Sequence, residues 1–160
     1  MKSFQIDIRW ACYFGLLTIV WSIFEKEMGW YNEHIADYGF CSMLFAIPAV
    51  VFYNLAMRQK RDALYPTGAF TWTQGFVAGI YLSFFVAIFM PGALFLSYKY
   101  ICPDFFDNII AYKVNNHWLK QAEAEKIFNL RSTLLEGSFS ALSKGSITGA
   151  FVAIFLRRKA

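Results

Sequence analysis

Charged side chains are scarce in this sequence. They make up 16% of its 160 residues, whereas hydrophobic residues make up 58% and aromatic residues 20%. Ordinary soluble domains carry roughly 25% charged residues, so this composition excludes a disordered chain and argues against a soluble globule. The net charge of +4 is not gathered into a motif that reads nucleic acid. We therefore expect a single domain over residues 1–160 whose partner is the lipid bilayer and not nucleic acid.

The motifs of familiar catalytic and metal sites are also missing. The sequence contains no H-E-x-x-H, G-x-S-x-G, Walker A or G-x-G-x-x-G string. Its two histidines, His34 and His117, fall on one predicted side of the membrane and form no metal-ligand pattern. The sequence therefore predicts a protein that is not an enzyme and that holds no cofactor or metal.

Cysteine is equally sparse. Cys12, Cys41 and Cys102 form no C-x-x-C pair, which argues against a zinc knuckle and a disulfide scaffold. Cys41 and Cys102 fall at the same predicted membrane boundary. A disulfide between them needs Cα atoms within about 7 Å, and the sequence leaves that distance open.

Long hydrophobic runs are the dominant feature that is present. Four segments approach the roughly 20 apolar residues that a membrane-spanning helix needs, at about 8–24, 38–57, 74–98 and 134–156. None alternates with the period of two that marks a barrel strand. The first run has a basic flank like that of a signal peptide but no cleavage site, so we interpret it as a retained anchor. The sequence predicts an all-α fold, a four-helix transmembrane bundle.

The charges that flank these spans predict their orientation, because Lys and Arg are poorly translocated. One side has only two acidic residues, Asp7 and Asp62, against eight basic residues, whereas the other side is predominantly acidic. We therefore expect both chain termini in the cytoplasm. The eight basic residues are Lys2, Arg9, Arg58, Lys60, Arg61, Arg157, Arg158 and Lys159.

The connection between the third and fourth spans has helical character of its own. Pro103 and Asp104 suit a helix start, apolar residues then recur at helical spacing, and Asn115 interrupts the pattern before a second stretch over about 119–130. We expect a short amphipathic helical hairpin over about 103–130, with its apolar side resting on the bundle or on lipid headgroups.

Two prolines fall inside predicted spans. Pro91, followed by Gly92, lies in the third span, and Pro48 lies in the second. Proline removes a backbone donor and crowds the preceding turn, so we expect kinks at these positions. The kinks either fit the helices into the bilayer or frame a cavity.

Small residues recur at every fourth position of the fourth span. Such a face lets two helix backbones approach closely in lipid, so we expect tight helix packing here. The partner helix belongs either to the same chain, which we favour, or to a second copy. The small residues are Gly137, Ala141, Gly145, Gly149 and Ala153.

A polar row, Glu136, Ser140, Lys144 and Thr148, lies about 100° further round the same helix. A Lys near the middle of a span costs roughly 2.5 to 3.5 kcal/mol on insertion scales, so we expect Lys144 to face the bundle interior or water. It either contacts an ion, a substrate or a lipid headgroup, or is neutralised by polar groups inside the bundle.

Other polar residues of the spans have local explanations. Thr133 and Glu136 match the capping box that starts a helix, and Asn54 and Gln74 are expected to link helices by hydrogen bonds. Glu25 ends the first span, where its carboxylate either reaches water or takes part in a relay. The ligand or ion candidates are Lys144, Ser140, Thr148, Glu25 and Asn54.

Several short stretches occur together along nearly the whole chain. They are 21–26 (WSIFEK), 44–49 (LFAIPA), 55–62 (LAMRQKRD), 73–76 (TQGF), 103–106 (PDFF), 123–130 (EAEKIFNL) and 152–155 (VAIF). In combination they resemble a bacterial family of small integral membrane proteins, domain-of-unknown-function family 4199. The resemblance implies a four-span inner-membrane protein without an assigned activity, and it carries over no catalytic residue.

Two functional hypotheses follow from these features. The first is a non-enzymatic accessory or scaffold protein that acts through helix association, with another membrane protein or a homo-oligomer as partner. The second is a protein that handles a small solute, an ion or a lipid and uses the polar row around Lys144.

Overall fold

The computed structural model of the chain describes residues 2–158, with Lys2 described by its backbone alone. Within these residues there is no β-strand, and a 3-10 turn (Ser42–Phe45) and a π-helical turn (Ser97–Ile101) accompany the α-helices. The predicted all-α fold is thus confirmed. The helices are α1 (Lys2–Glu27), α2 (Tyr38–Cys41), α3 (Ala46–Leu64), α4 (Trp72–Leu96), α5 (Phe105–Asn115), α6 (Gln121–Ile127) and α7 (Leu130–Leu156).

Four helical segments are long and apolar enough to cross a membrane. They are Ser3–Glu27, Tyr38–Leu64, Trp72–Ile101 and Leu130–Leu156, with 25 to 30 residues each. The four predicted spans are confirmed, and each helix extends beyond the predicted apolar run. The second continues from its predicted end at residue 57 to Leu64, because the Arg, Gln and Lys residues that follow its apolar part are good helix formers.

The four long segments pack against one another, and we call them the helical core. α4 contacts α1, α3 and α7, and its most extensive contact is with α7. The buried centre includes Phe14 on α1, Met57 on α3, Val86 on α4 and Val152 on α7. Apolar residues therefore converge on the central helix α4, while the opposite faces of the outer helices carry exposed apolar side chains.

The start of α1 and the end of α7 lie at the same end of the helical core, where Asp7 near the start of α1 contacts Lys60 near the end of α3. Phe70, in the loop between α3 and α4, exchanges two backbone hydrogen bonds with Arg158, at 2.8 and 3.0 Å. Arg158 also donates through its guanidinium to the carbonyls of Gly68 and Tyr65. We call this end the terminal end and the opposite end, which carries α5 and α6, the hairpin end.

The two prolines inside the long segments have different local settings. Pro48 lies in the first turn of α3, directly after the 3-10 turn. A proline is tolerated there, because its missing N–H would be one of the unpaired donors of the first helical turn. Pro91 lies inside α4, which continues through it to Leu96 and then widens into the π-helical turn.

The predicted helical hairpin is present as α5 and α6, and it rests on the hairpin end of the helical core. Tyr31, Cys102, Phe105 and Ile109 form a second buried cluster there. The Asn108 amide donates to the carbonyl of Tyr31 at 2.9 Å. This apolar and polar docking holds α5 against the loop that follows α1.

The predicted start of the fourth span is wrong. α7 begins at Leu130, and its N-cap is Asn129, whose side chain accepts from the backbone N–H of Ser132 at 2.9 Å. Thr133 and Glu136 lie inside the helix, and Glu136 is exposed. Asn129, and not Thr133, caps the helix because the backbone of Asn129 is extended, as an N-cap requires. Its amide also donates to two carbonyls at the end of α6.

Candidate functional site

α7 packs closely against α4 because both helices present small residues at the contact. A Cβ atom built on Gly149 would lie 2.8 Å from the Cα of Gly79, and one built on Gly75 would lie 2.8 Å from the Cβ of Ala153. Gly75 and Gly79 are themselves four residues apart, so α4 carries its own small-residue motif. The motif on α7 was predicted from the sequence, whereas its counterpart on α4 was not.

The remaining small residues of α7 also face the helical core. Gly145 leaves room for a hydrogen bond between the hydroxyls of Tyr53 and Ser83, whose oxygens are 3.0 Å apart. Gly137 faces Leu94, and Ala141 packs against the main buried cluster. The partner of this face is therefore in the same chain, as favoured from the sequence.

Lys144 is exposed beside the glycine face of α7, so of the two expected surroundings, the bundle interior and water, the interior is wrong. It borders a shallow groove whose lining residues all belong to α7: Glu136, Phe139, Ser140, Leu142, Ser143, Lys144 and Ser146. The reason is that α7 contacts only α4 and α3 extensively and uses its glycine face for both. The neighbouring polar row is left at the edge of the helical core.

The depth of Lys144 makes this exposure costly in lipid. It lies 14 residues after Leu130 and 12 before Leu156 in the 27-residue helix, which is about 21 Å and about 18 Å from the two ends at a rise of about 1.5 Å per residue. The hydrocarbon core is about 30 Å thick, so a membrane-spanning α7 places the Cα of Lys144 near its middle. We call Glu136, Ser140, Ser143 and Lys144 the polar face of α7.

The structure does not bring the five ligand or ion candidates into one site. Lys144 and Ser140 line the groove, whereas the half-buried Thr148 donates to the carbonyl of Lys144 at 2.8 Å and so binds its own helix. Asn54 is half-buried on α3. Glu25 is buried at the hairpin end. The polar face of α7 is therefore separate from the other candidates.

Glu25 is held by two neutral donors. Its carboxylate accepts from the hydroxyl of Tyr31 and, at 2.8 Å, from that of Ser42. Burial raises the pKa of the Tyr31 phenol well above its usual range, and Tyr98 and Glu25 raise it further. The phenol therefore stays protonated and donates, which ties the end of α1 to the following loop and to the start of the second long segment.

A buried ion pair at the terminal end was not expected from the sequence. Lys60 donates to Asp7 at 2.6 Å, with both side chains almost fully buried, and the Lys60 ammonium lies 5.2 Å from the centre of the Tyr81 ring. From the sequence, both residues were expected to be charges that flank the membrane. Helix extension beyond the apolar runs brings them inside the helical core.

The buried position of Asp7 follows a helical periodicity that can be read in the sequence of α1. Asp7, Ala11, Phe14, Thr18, Ser22 and Glu25 are all buried, and they recur at intervals of three and four residues, as one helix face does. Thr18 and Ser22 satisfy their hydroxyls by donating to carbonyls four residues earlier. The buried face of α1 is thus partly polar, while the exposed face of α7 is polar near its middle.

Two smaller predictions are resolved by direct contacts. Gln74 does not link two helices, because its side chain accepts from the backbone N–H of Thr71 at 2.8 Å while Thr71 accepts from Gln74 at 3.2 Å, so the two residues form the capping box of α4. The cysteines Cys12, Cys41 and Cys102 are free. Burial raises the pKa of the Cys102 thiol to about 11.

Comparison with known protein families agrees with this architecture. A family model described as "Protein of unknown function (DUF4199)" matches residues 9–158. The chain belongs to this family. No curated protein and no solved structure matches it. Membership in DUF4199 covers all four long segments and the hairpin, but it assigns no activity to the polar face of α7.

Proposed function

We propose that this DUF4199 member is a non-enzymatic accessory or scaffold protein of the bacterial inner membrane, and that it acts by associating with another membrane protein through the polar face of α7. The observation that carries the proposal is the exposed Lys144 at mid-helix, beside the exposed Ser143 and the half-buried Ser140.

The energetic argument is the cost of leaving this face in lipid. A Lys at the centre of a span costs roughly 2.5 to 3.5 kcal/mol on insertion scales, and a single Leu, Ile or Phe offsets only about 0.3 to 0.6 kcal/mol. A protein surface with polar groups at the same depth removes much of that cost. Exposed Phe139 and Ile147 flank the polar face and supply apolar contact area around it.

The proposal includes an orientation with both termini in the cytoplasm. Arg9, Arg58, Arg61, Arg157 and Arg158 all lie at the terminal end, and basic residues favour the cytoplasmic side. A reporter fused after Ala160 should give a cytoplasmic signal, and one inserted after Asn116 should give an exterior signal. An exterior signal at Ala160 contradicts the orientation.

Photocrosslinking in native membranes tests the association. A photoreactive phenylalanine analogue at Ser143 should give a protein adduct that disappears when Lys144 is replaced by Leu, because the charge is the expected contact. The same analogue at Ile88, an exposed apolar position on α4, is the matched control and should react with lipid alone. Lipid adducts alone at Ser143 overturn the proposal.

A further inference from the structure

We infer that the occupant of the polar face of α7 is a transmembrane helix of a different protein that carries an Asp or Glu side chain at the depth of Lys144. This inference rests on the proposed function and specifies its partner. It follows from the exposed charge of Lys144 and from the positions of the acidic residues in the long helices of this chain.

A symmetric pair of copies joined through this face is disfavoured by charge. All copies insert in the same direction, so their two-fold axis lies along the membrane normal. Lys144 then faces Lys144 at one depth and Glu136 faces Glu136 at another. Lys144 and Glu136 are eight residues apart, about 12 Å along the helix, so they do not pair with each other across such a contact.

An asymmetric contact between two copies lacks a suitable acceptor. Within the described residues, the acidic side chains of the long helices lie near helix ends, at Asp7, Glu25, Glu27, Asp62 and Glu136. Asp7 is buried against Lys60, and Glu25 is buried against Tyr31 and Ser42. This part of the chain therefore offers no exposed carboxylate at mid-bilayer depth that a second copy of Lys144 would meet.

A foreign helix with a central carboxylate pairs with Lys144, the charge of the polar face that lies deepest. The Lys144 ammonium has three donors and would form a charge-assisted hydrogen bond with that carboxylate, a bond that is strengthened where water is excluded. The hydroxyl of Ser140, which lines the same groove, would donate to the second carboxylate oxygen. The hydroxyl of Ser143 donates to the carbonyl of Ser140 at 3.3 Å, so it would act towards the partner as an acceptor.

The test uses a designed probe. The purified full chain, labelled with a fluorescent donor, is reconstituted into phosphatidylcholine vesicles with an acceptor-labelled polyleucine transmembrane peptide that carries a single central Glu. Peptides with Leu or Lys at the centre are the controls. Energy transfer at increasing peptide density gives relative affinities within the bilayer.

We expect the Glu peptide to bind about threefold to fifteenfold more tightly than the Leu peptide, as interhelical hydrogen bonds in membranes do. Lys144→Leu should abolish the difference. Lys144→Glu should reverse the preference in favour of the Lys peptide, which a structural defect does not do. Equal binding of the three peptides by the wild-type chain overturns the inference.

The outcome is separable from that of the proposed function. If the peptides bind equally but photocrosslinking at Ser143 still depends on Lys144, the association stands and the carboxylate partner is wrong. If the chain without peptide self-associates through Lys144, a second copy is the occupant and the inference fails. If neither assay depends on Lys144, both fail together.

Discussion

Replacing Gly149 by Ala tests the α4–α7 contact most sharply. The added Cβ would lie 2.8 Å from the Cα of Gly79 and 3.3 Å from its carbonyl carbon. Both atoms are backbone, so no side-chain rotation relieves the overlap, and the helices must separate. Gly149 and Gly79 are both buried at the most extensive helix contact in the core. Separating the helices therefore disturbs the packing of both α4 and α7.

The expected cost is that of overpacking a close-packed interior, about 1 to 3 kcal/mol in free energy of unfolding. Gly92 supplies the matched control, because it is exposed inside the same central helix α4 and a Cβ there meets nothing within 4 Å. Gly92→Ala should leave stability unchanged or raise it by about 0.4 to 1 kcal/mol, since alanine restricts the unfolded chain.

The assay is thermal or denaturant unfolding in a mild detergent, with wild type, Gly149→Ala and Gly92→Ala measured side by side. Gly149→Ala should unfold at a clearly lower temperature than the other two. Equal unfolding of the two alanine variants would refute the close approach of α4 and α7.

Three further predictions concern the ends of the helical core. Replacing Lys60 by Met leaves Asp7 buried without its partner and should lower the free energy of unfolding by about 3 to 5 kcal/mol. Replacing Asp7 by Leu in the same chain should restore much of that stability. Thermal melting of the single and double variants checks this prediction, and a double variant that is less stable than the single one contradicts it. Burial raises the pKa of the Cys102 thiol to about 11, and the thiolate is the form that reacts with an alkylating reagent. The alkylation rate of Cys102 in the folded protein should therefore keep rising to about pH 11, whereas in denaturant it should level off above about pH 9. Identical pH profiles in the two states contradict the burial of Cys102. Asn129→Ala should cost about 1 kcal/mol through loss of the N-cap of α7, and an unchanged melting temperature would show that the cap is dispensable.

The number of spans and the hairpin were predictable because hydrophobic run length and helical periodicity are local properties. The ends of the helices were not, because Arg58, Gln59 and Lys60 continue α3 well past its apolar part. That extension brings Lys60 into a tertiary contact with Asp7. Local hydropathy contains no information about a partner 53 residues away.

The face of α7 that packs was predictable from its glycines, but the direction of Lys144 was not. From the sequence, Lys144 was expected to face the bundle interior or water because of the cost of a charge in lipid. An interior position needs neighbours on most sides of α7, whereas α7 lies at the edge and has extensive contacts only with α4 and α3. The number of neighbours that a helix has is a property of the whole arrangement, so the row next to the glycine face is exposed.

The position of the polar face of α7 is the central claim, and a spin label tests it most directly. Ser143 is replaced by Cys in a chain whose native cysteines are replaced by Ala, and the labelled protein is reconstituted alone into phosphatidylcholine vesicles. Collisions with oxygen, which concentrates in the bilayer core, and with a water-soluble nickel chelate then report the surroundings of the label. We expect high oxygen and low nickel accessibility, the signature of a side chain facing lipid near mid-bilayer. A label that is inaccessible to both reagents, or that is open to nickel, would contradict an outward-facing position in lipid.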